Sequence, residues 1–216
     1  MEVTSEQLST AFIETLYMVT WSLLFACLIG IPLGVLLVVT RKGHILQNTL
    51  IFNILNPIIN ILRSVPFIIL LVALIPVTRF IVDSSIGVKA AIVPLVFYAG
   101  PYIARLVENS LLEVDQGIIE AAQAMGANAW QIIWRFMLPE GLSSLVLTLT
   151  TATIGLVGAT AMAGVVGAGG IGNLAITYGY QRYDNITMLV TVIILVVIVQ
   201  SVQSLGNFIS RKIRRR

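Results

Sequence analysis

The chain has 216 residues, of which 57% are hydrophobic and 11% are charged, and its mean hydropathy is +0.96. Soluble domains carry about 25% charged residues, so this composition excludes a soluble globular protein and indicates a membrane protein. The net charge of +3 comes largely from a basic tail over residues 211–216, which follows a hydrophobic run and therefore indicates a cytoplasmic membrane boundary rather than a nucleic-acid partner.

Five apolar stretches are long enough to cross a hydrocarbon core of about 30 Å. We predict spans over residues 16–39, 58–77, 86–107, 142–166 and 186–208. The segment before the first span contains Glu2, Glu6 and Glu14 and no basic residue, unlike the positively charged start of a cleavable signal peptide. The predicted fold is an all-α polytopic membrane protein that forms one domain over residues 1–216, with its termini on opposite sides of the membrane.

Three of these spans contain residues that disturb a regular apolar helix. In the first span, Gly30 and Gly34 lie four residues apart with Pro32 between them, so we expect either a kink or a close approach to another helix. In the second span, Arg63 would cost about 2.5–3.5 kcal/mol at mid-bilayer, so we expect it toward the cytoplasmic end or facing a polar interior. At the cytoplasmic end of the third span, Arg105 and Glu108 have helical spacing and are expected to pair, contributing roughly 0.2–0.5 kcal/mol.

Residues 115–139 lie between two spans and are far more polar than either. Their apolar residues recur at helical spacing and predict an amphipathic helical hairpin with one apolar side. These residues are Ile118, Ala122, Met125, Ala129, Ile132, Ile133 and Phe136. Gly126 suits the left-handed position that ends a helix, and Asn128 with Gln131 has the spacing of a capping box. Pro139 is predicted to end the second helix, and the whole hairpin is expected to be a docking element.

Lysine and arginine are enriched in cytoplasmic loops, so their distribution predicts the orientation of the chain. If the hairpin is cytoplasmic, ten of the 13 basic residues lie inside and three lie outside. The inside group is Arg41, Lys42, Arg63, Arg105, Arg135 and the five basic residues of the tail, and the outside group is Arg79, Lys89 and Arg182. We therefore predict a multi-pass protein with its N-terminus outside and its C-terminus in the cytoplasm.

Motifs for soluble chemistry are missing or lie in the wrong context. Residues 167–172 match the dinucleotide pattern G-x-G-x-x-G, but no strand precedes them, so we predict a glycine-rich re-entrant turn. No G-x-x-x-x-G-K-[ST] motif occurs, so the chain itself is not expected to be an ATPase, and any ATP must be bound by another polypeptide. The single residues Cys27 and His44 exclude an internal disulfide and a multi-histidine metal site, and no cofactor is expected.

The hairpin carries a family resemblance. Glu120, Ala121 and Ala122 are followed after three residues by Gly126 and later by Phe136-x-Leu138-Pro139. This arrangement resembles the EAA signature of ABC importer permeases, although the consensus has an aliphatic residue in place of Phe136. The resemblance implies a type I ABC importer permease fold, in which these residues form cytoplasmic coupling helices that dock on an ATP-hydrolysing subunit.

Further stretches are similar to the methionine-uptake permeases, the short five-span members of that class. They cover residues 60–71, 104–113 and 164–172, so the resemblance extends over nearly the whole chain. It implies a cytoplasmic (inner) membrane location and a homodimer of this subunit. It also implies two cytoplasmic ABC ATPase subunits that bind ATP and magnesium, and an extracytoplasmic substrate-binding protein or lipoprotein that delivers methionine.

The expected function is therefore ATP-driven import of methionine or a close derivative. Import of another amino acid or small solute is the alternative within the same class. A proton-coupled carrier is the alternative from a different class, but such carriers usually need an intramembrane carboxylate, and acidic residues are nearly absent from the predicted spans. In the fourth span, Met162 is a large flexible side chain among small ones, and it could form part of a translocation gate or simply pack against a neighbouring span.

Overall fold

The computed structural model describes residues 3–214, and these residues form helices and connecting turns with no β-strand. The helices, in chain order, are α1 Ser5–Thr40, α2 Thr49–Ser64, α3 Phe67–Ala73, α4 Ile75–Val82, α5 Val88–Leu112, α6 Gln116–Ala124, α7 Ala129–Ile132, α8 Leu138–Gly164, α9 Gly170–Leu174 and α10 Asn185–Arg214. Two π-helical segments join neighbouring helices, Ile133–Met137 between α7 and α8, and Ala175–Tyr180 after α9. The all-helical prediction is confirmed.

Four predicted spans correspond to continuous helices that are long and apolar enough to cross a membrane. These helices are α1, α5, the continuous segment Ala129–Gly164 and α10. Helix α1 begins well before residue 16 because Thr4 and Gln7 form a capping box, in which each side chain accepts a hydrogen bond from the other residue's backbone N–H. Helix α10 also runs beyond its predicted end, into the basic tail.

The second predicted span, residues 58–77, is not one straight helix. Helices α2 and α3 meet at an angle of 101°, with the break between Ser64 and Phe67. Pro66 has no N–H to continue the ladder of α2, and its ring disfavours helical geometry at the preceding residue. Val65 accordingly has an extended backbone with φ −81° and ψ 122°. The prediction of a regular span here is therefore corrected to a bent segment.

Helices α1 and α5 pack closely against each other. A Cβ atom on Gly30 would lie 2.7 Å from the carbonyl oxygen of Gly100, and one on Gly34 would lie 2.6 Å from that of Ala104. No real side chain tolerates such distances, so the two glycines let the backbones approach. The predicted close helix approach is confirmed, and it occurs inside the subunit, where the surrounding buried cluster includes Met18, Ala26, Leu95, Ile103 and Val107.

The two ends of the bundle carry different chain segments. At one end, the N–H of Gly87 donates to the carbonyl of Gly167, and Glu14 contacts the N–H of Gly170. At the other end, the hairpin region and the last residues of α10 line one open groove of about 960 Å³, whose walls include Asp115, Pro139 and Lys212. The start of α1 and the end of α10 therefore lie at opposite ends of the bundle.

Serine and threonine hydroxyls tie the spans together near the hairpin end. Ser110 of α5 and Thr148 of α8 are joined at 2.6 Å, and Ser143 of α8 reaches Ser210 of α10 at 2.8 Å. Interhelical hydrogen bonds of this kind are worth about 0.6 kcal/mol each in a membrane bundle. They fix the register of α8 between its two neighbours.

We predict that Gly34→Ala destabilises the protein, because the new methyl group forces α1 away from the backbone of α5. Overpacking of a tight core costs about 1–3 kcal/mol. Gly100→Ala is the matched control at the same interface, since its Cβ would meet only Ile29, at 3.9 Å. Thermal unfolding followed by size-exclusion chromatography in detergent should show a lower midpoint for Gly34→Ala alone. Equal midpoints for the two variants would contradict the packing argument.

Candidate functional site

The first helix of the hairpin has well-defined ends. Asp115 caps α6 by accepting a hydrogen bond from the N–H of Gly117 at 2.6 Å. After α6, Gly126 adopts φ +80°, and the N–H of Ala127 donates to the carbonyl of Ala122. This bond and the left-handed residue form a Schellman-type helix end. The predicted role of Gly126 in ending the first helix is confirmed.

The second helix of the hairpin begins with the predicted capping box. The N–H of Gln131 donates to the side chain of Asn128, and the N–H of Asn128 donates to the side chain of Gln131, both at 2.9 Å. Two backbone donors that have no intrahelical partner are thereby satisfied. Only three residues, Met125, Gly126 and Ala127, separate the end of the first helix from this cap, so the turn between the helices is short.

Pro139 does not end the second helix, contrary to the sequence prediction. The helix widens into the π-helical turn Ile133–Met137 and continues as α8, with Pro139 in the first turn of that helix. Within the wider turn, the N–H of Leu138 donates to the carbonyl of Ile133, five residues earlier. The change of hydrogen-bond register lets Pro139, which has no N–H, enter the helix with little loss of backbone hydrogen bonding. The second helix of the hairpin and the fourth span are therefore one continuous element.

The hairpin has a small core of its own and a large uncovered apolar face. Ile119, Ala122 and Ile132 are buried together, and Ile45, Ala127 and Phe136 pack against them. Three large apolar side chains remain uncovered, namely Met125 at 71%, Trp130 at 68% and Trp134 at 55% exposure. Met125, which was predicted on the apolar side of the hairpin, is exposed, whereas Ile119 is buried. We call the uncovered group Met125, Trp130 and Trp134 the hairpin patch.

The residues of the EAA signature occupy three kinds of environment. Glu120, Ala121, Gly126 and Pro139 are exposed, Phe136 and Leu138 are half-buried, and Ala122 is buried. Ala122 and Phe136 pack within the hairpin, Leu138 packs against the main core, and Glu120 and Ala121 lie on the surface of the hairpin. The hairpin patch was missed in the sequence, although the spacing of Trp130 and Trp134, four residues apart on one helix face, was available as a signal.

A buried charge cluster lies beside the hairpin, where α1, α2 and α5 meet. Glu108 is only 1% exposed and pairs with Arg105, while Arg41 approaches the same carboxylate at 3.8 Å. Arg105 also donates to Asn56 at 2.6 Å and to Asn60 at 2.8 Å. The pair of Arg105 and Glu108 was expected to contribute as little as an exposed helix pair. Because the pair is buried, removing one partner would cost about 3–5 kcal/mol. The cluster therefore has a larger structural effect than the sequence indicated.

His44 lies in the loop between α1 and α2, next to this cluster. The side chain of His44 is half-buried. Burial lowers the pKa of the His44 imidazole, and the positive charge of Arg41 lowers that pKa further. Both causes favour the neutral imidazole, so His44 adds no positive charge to the cluster at neutral pH.

The glycine-rich segment after α8 is a turn held by α1. Gly167, Gly169 and Gly170 all have positive φ. The N–H of Gly170 donates to Glu14 at 2.7 Å, and the N–H of Ile171 donates to Thr15 at 2.9 Å. These side chains satisfy the backbone donors at the start of α9. The glycines therefore serve a tight turn, as predicted, and the dinucleotide motif is a coincidence of spacing.

Helix α8 leaves one narrow face uncovered. Its exposed or half-buried positions recur every three or four residues, at Leu147, Thr151, Gly155, Gly158 and Met162. Met162 is 54% exposed, and a Cβ on Gly158 would meet no atom within 4 Å. We call these five residues the α8 stripe. It is lined by small residues apart from the leucine and the methionine at its two ends.

Comparison with known proteins supplies a family and close structural relatives. The family described as "Binding-protein-dependent transport system inner membrane component" matches residues 30–215. A probable D-methionine transport system permease protein of Vibrio cholerae is 48% identical over 97% of this chain and 93% of its own length. The corresponding protein of Haemophilus influenzae is 47% identical over 95% of this chain and 96% of its own length.

Solved structures agree with the sequence relatives. A chain from an inward-facing structure of the MetNI methionine ABC transporter superimposes with a TM-score of 0.95 and 48% identity, covering 97% of both chains. A chain of an amino acid ABC transporter crystallised with histidines shares the fold, with a TM-score of 0.79 at 17% identity over 98% of this chain and 100% of that one. The chain belongs to the family of binding-protein-dependent transport system inner membrane components, the permease subunits of ABC importers.

Proposed function

We propose that this chain is the permease subunit of an importer that carries methionine, or a close derivative, across the cytoplasmic membrane. The observation that carries the proposal is the 47–48% identity, over nearly the whole chain, to proteins named as D-methionine transport permeases. The superposition on a chain of a methionine ABC transporter supports the same substrate. The other amino acid transporter supports the fold alone, because its identity to this chain is too low.

The proposed assembly contains two copies of this subunit, two cytoplasmic ABC ATPases and an extracytoplasmic binding protein. ATP and its magnesium ion would bind to the ATPases, and the binding protein would release the amino acid into the membrane path. The hairpin patch supports the ATPase contact, since exposed tryptophan and methionine side chains are the residues that interface cores favour. Glu120, Ala121 and Gly126 border this surface, and we assign them, together with Ala122, Phe136, Leu138 and Pro139, to coupling.

The proposed orientation places the hairpin and the C-terminus in the cytoplasm and the N-terminus outside. The position of the α10 end beside the hairpin supports it, because Lys212 and Arg214 then reach the same side as Arg135. Basic residues at both places fit the preference of lysine and arginine for the cytoplasmic side.

Reconstitution in liposomes tests the function. The chain, its co-expressed ATPase and its binding protein should take up labelled methionine when ATP is supplied on the ATPase side, and an ATPase variant that cannot hydrolyse ATP should abolish uptake. Uptake of a different amino acid but not of methionine would support an ABC importer and reject methionine as its substrate. Uptake by the chain alone, driven by a proton gradient, would instead establish a carrier.

We predict that Gly126→Val uncouples the hairpin from the ATPase. A β-branched residue at φ +80° costs roughly 1–3 kcal/mol, although a new side chain there meets no atom within 4 Å, so the effect comes from the backbone alone. We expect normal membrane abundance, less ATPase in the purified complex and loss of uptake. Gly126→Asn is the matched control, because asparagine tolerates left-handed geometry. Full transport by the valine variant would reject the coupling assignment.

We further propose that Met162 forms part of the gate, near the two-fold axis of the dimer. Its exposure at the end of a stripe of small residues supports this position, since a flexible thioether can fill a narrow gap between two copies and move aside. The alternative is that Met162 packs against another element in the assembly.

Cysteine cross-linking separates these two roles. In a Cys27→Ser background, Met162→Cys should cross-link between the two copies when the importer is closed, and trapping with nucleotide should change the yield. Thr160→Cys is the internal control, because Thr160 is buried within the subunit. If Met162→Cys gives no cross-link in any state and Val166→Cys is equally silent, Met162 is a packing residue.

A further inference from the structure

Arg63 lies at the bend between α2 and α3 and contacts an aromatic surface of α5. The guanidinium carbon of Arg63 is 5.9 Å from the centre of the Tyr102 ring. Tyr102 stacks on Tyr98 at 6.4 Å, and Tyr98 meets Phe67 of α3 edge-on at 5.3 Å. A guanidinium over an aromatic face is held by the ring quadrupole, which fixes its position without neutralising its charge.

Tyr102 lies near the middle of α5, a helix that is long and apolar enough to cross a membrane. Tyr102 is about 21 Å from the start of α5 and about 15 Å from its end, at a rise of 1.5 Å per residue. A cation facing hydrocarbon at such depth would cost about 2.5–3.5 kcal/mol. The side chain of Arg63 is nevertheless exposed on the surface of the subunit. Its surface must therefore line a polar path or a subunit interface rather than face lipid.

Arg63 differs from Arg105, which lies on α5 three residues after Tyr102. Arg105 is committed to Glu108, Asn56 and Asn60. Within residues 3–214 the ion pairs are those of Arg41 and Arg105 with Glu108, so Arg63 has no carboxylate partner there. An intramembrane cation without a counter-charge is a natural binding site for an anionic group.

The aromatic surface leads directly to the α8 stripe. A Cβ on Gly155 would lie 3.9 Å from Cε1 of Tyr102, so the two elements touch at this point. Gly158 and Met162 continue the stripe toward the glycine-rich end of the bundle. Arg63, Tyr102 and the stripe thus form one continuous surface at the middle depth of the chain.

We propose that Arg63, Tyr98 and Tyr102 form a transient binding site for the substrate within the translocation path. The guanidinium would receive the carboxylate of the amino acid through paired N–H donors, and the tyrosine rings would contact an apolar or thioether side chain. The proposal rests on the proposed function, because it assigns the substrate of the same importer. It adds a site in the permease itself, distinct from whatever the binding protein recognises.

Protection from alkylation tests binding directly. In the Cys27→Ser background, Gly158→Cys places a thiol in open space beside the surface. In the purified complex of permease and ATPase, without the binding protein, methionine should slow alkylation of this thiol by a maleimide. Methioninamide, which lacks the carboxylate, should not protect. Adding Arg63→Gln should remove the protection by methionine.

Transport measurements test the role of the site in import. We expect Arg63→Gln to lower the maximal uptake rate by about tenfold or more, while ATP hydrolysis and subunit composition stay unchanged. Arg63→Lys keeps the charge but loses the planar guanidinium, so its maximal uptake rate should lie between those of Arg63→Gln and the unmodified chain. Arg79→Gln, which removes an arginine that lies outside the proposed site, is the control and should leave the uptake rate unchanged.

The outcomes separate this proposal from the proposed function. If the unmodified complex does not import methionine, the proposed function fails, whatever the Arg63 variants do. If it imports methionine and Arg63→Gln does so at the same rate, or if methionine and methioninamide protect equally, the carboxylate site is rejected. If Arg63→Gln does not assemble, the uptake rate of Arg63→Lys is compared with that of the unmodified chain, and equal rates reject the carboxylate site. Loss of assembly in the lysine variant as well would assign Arg63 to a contact between subunits.

Discussion

The close contact between α1 and α5 is the constraint on which the rest of the fold depends. Gly30 and Gly34 bring two backbones together where any side chain would separate them. Ala104, opposite Gly34, is in turn covered by Ile59 of α2, so the position of α2 follows from the same contact. One helical turn further along α5, the buried carboxylate of Glu108 ties all three helices through Arg41 and Arg105. Packing and charge therefore act on the same three helices.

Two interruptions between helices are held in place by specific contacts. The bend at Pro66 sets Arg63 against Tyr102. The positive-φ glycines after α8 are held by Glu14 and Thr15 of α1. In lipid, a backbone donor without a partner costs several kcal/mol, so irregular segments persist only where such partners exist. The irregular parts of this chain are therefore as well determined as its helices.

The sequence predicted features that depend on near neighbours in the chain, and it failed where the outcome depends on distant ones. Gly126 and the pair Asn128 and Gln131 were predicted correctly because a helix end and its cap are decided within a few residues. The pairing of Arg105 with Glu108 was predicted from their spacing, but the contacts of Arg105 with Asn56 and Asn60 were not, because these residues lie more than 40 positions away in the chain.

Two proline residues show that a local rule can also depend on distant packing. The rule that proline ends a helix holds at Pro66, where the preceding residue is extended, but it was not used there. The same rule fails at Pro139, because the π-helical turn before it changes which carbonyl each N–H reaches. Whether a helix can contain a π-helical turn depends on the packing around it, and here Ile133 and Met137 are buried in the main core. Composition alone does not contain that information.

The continuity of the helix through Pro139 has a mechanical consequence for the proposed importer. Residues 129–164 form one uninterrupted helical element, with the tryptophans of the hairpin patch near its start and Met162 near its end. A helix of this length spans about 54 Å and bends little over a few turns. A displacement of the hairpin by the ATPases would therefore move the α8 stripe as well, whereas a helix ended at Pro139 would leave a flexible joint between them. The short cap at Asn128 and the turn at Gly126 then set where the moving element begins, and the hydroxyl contacts of Ser143 and Thr148 carry its motion to α10 and α5.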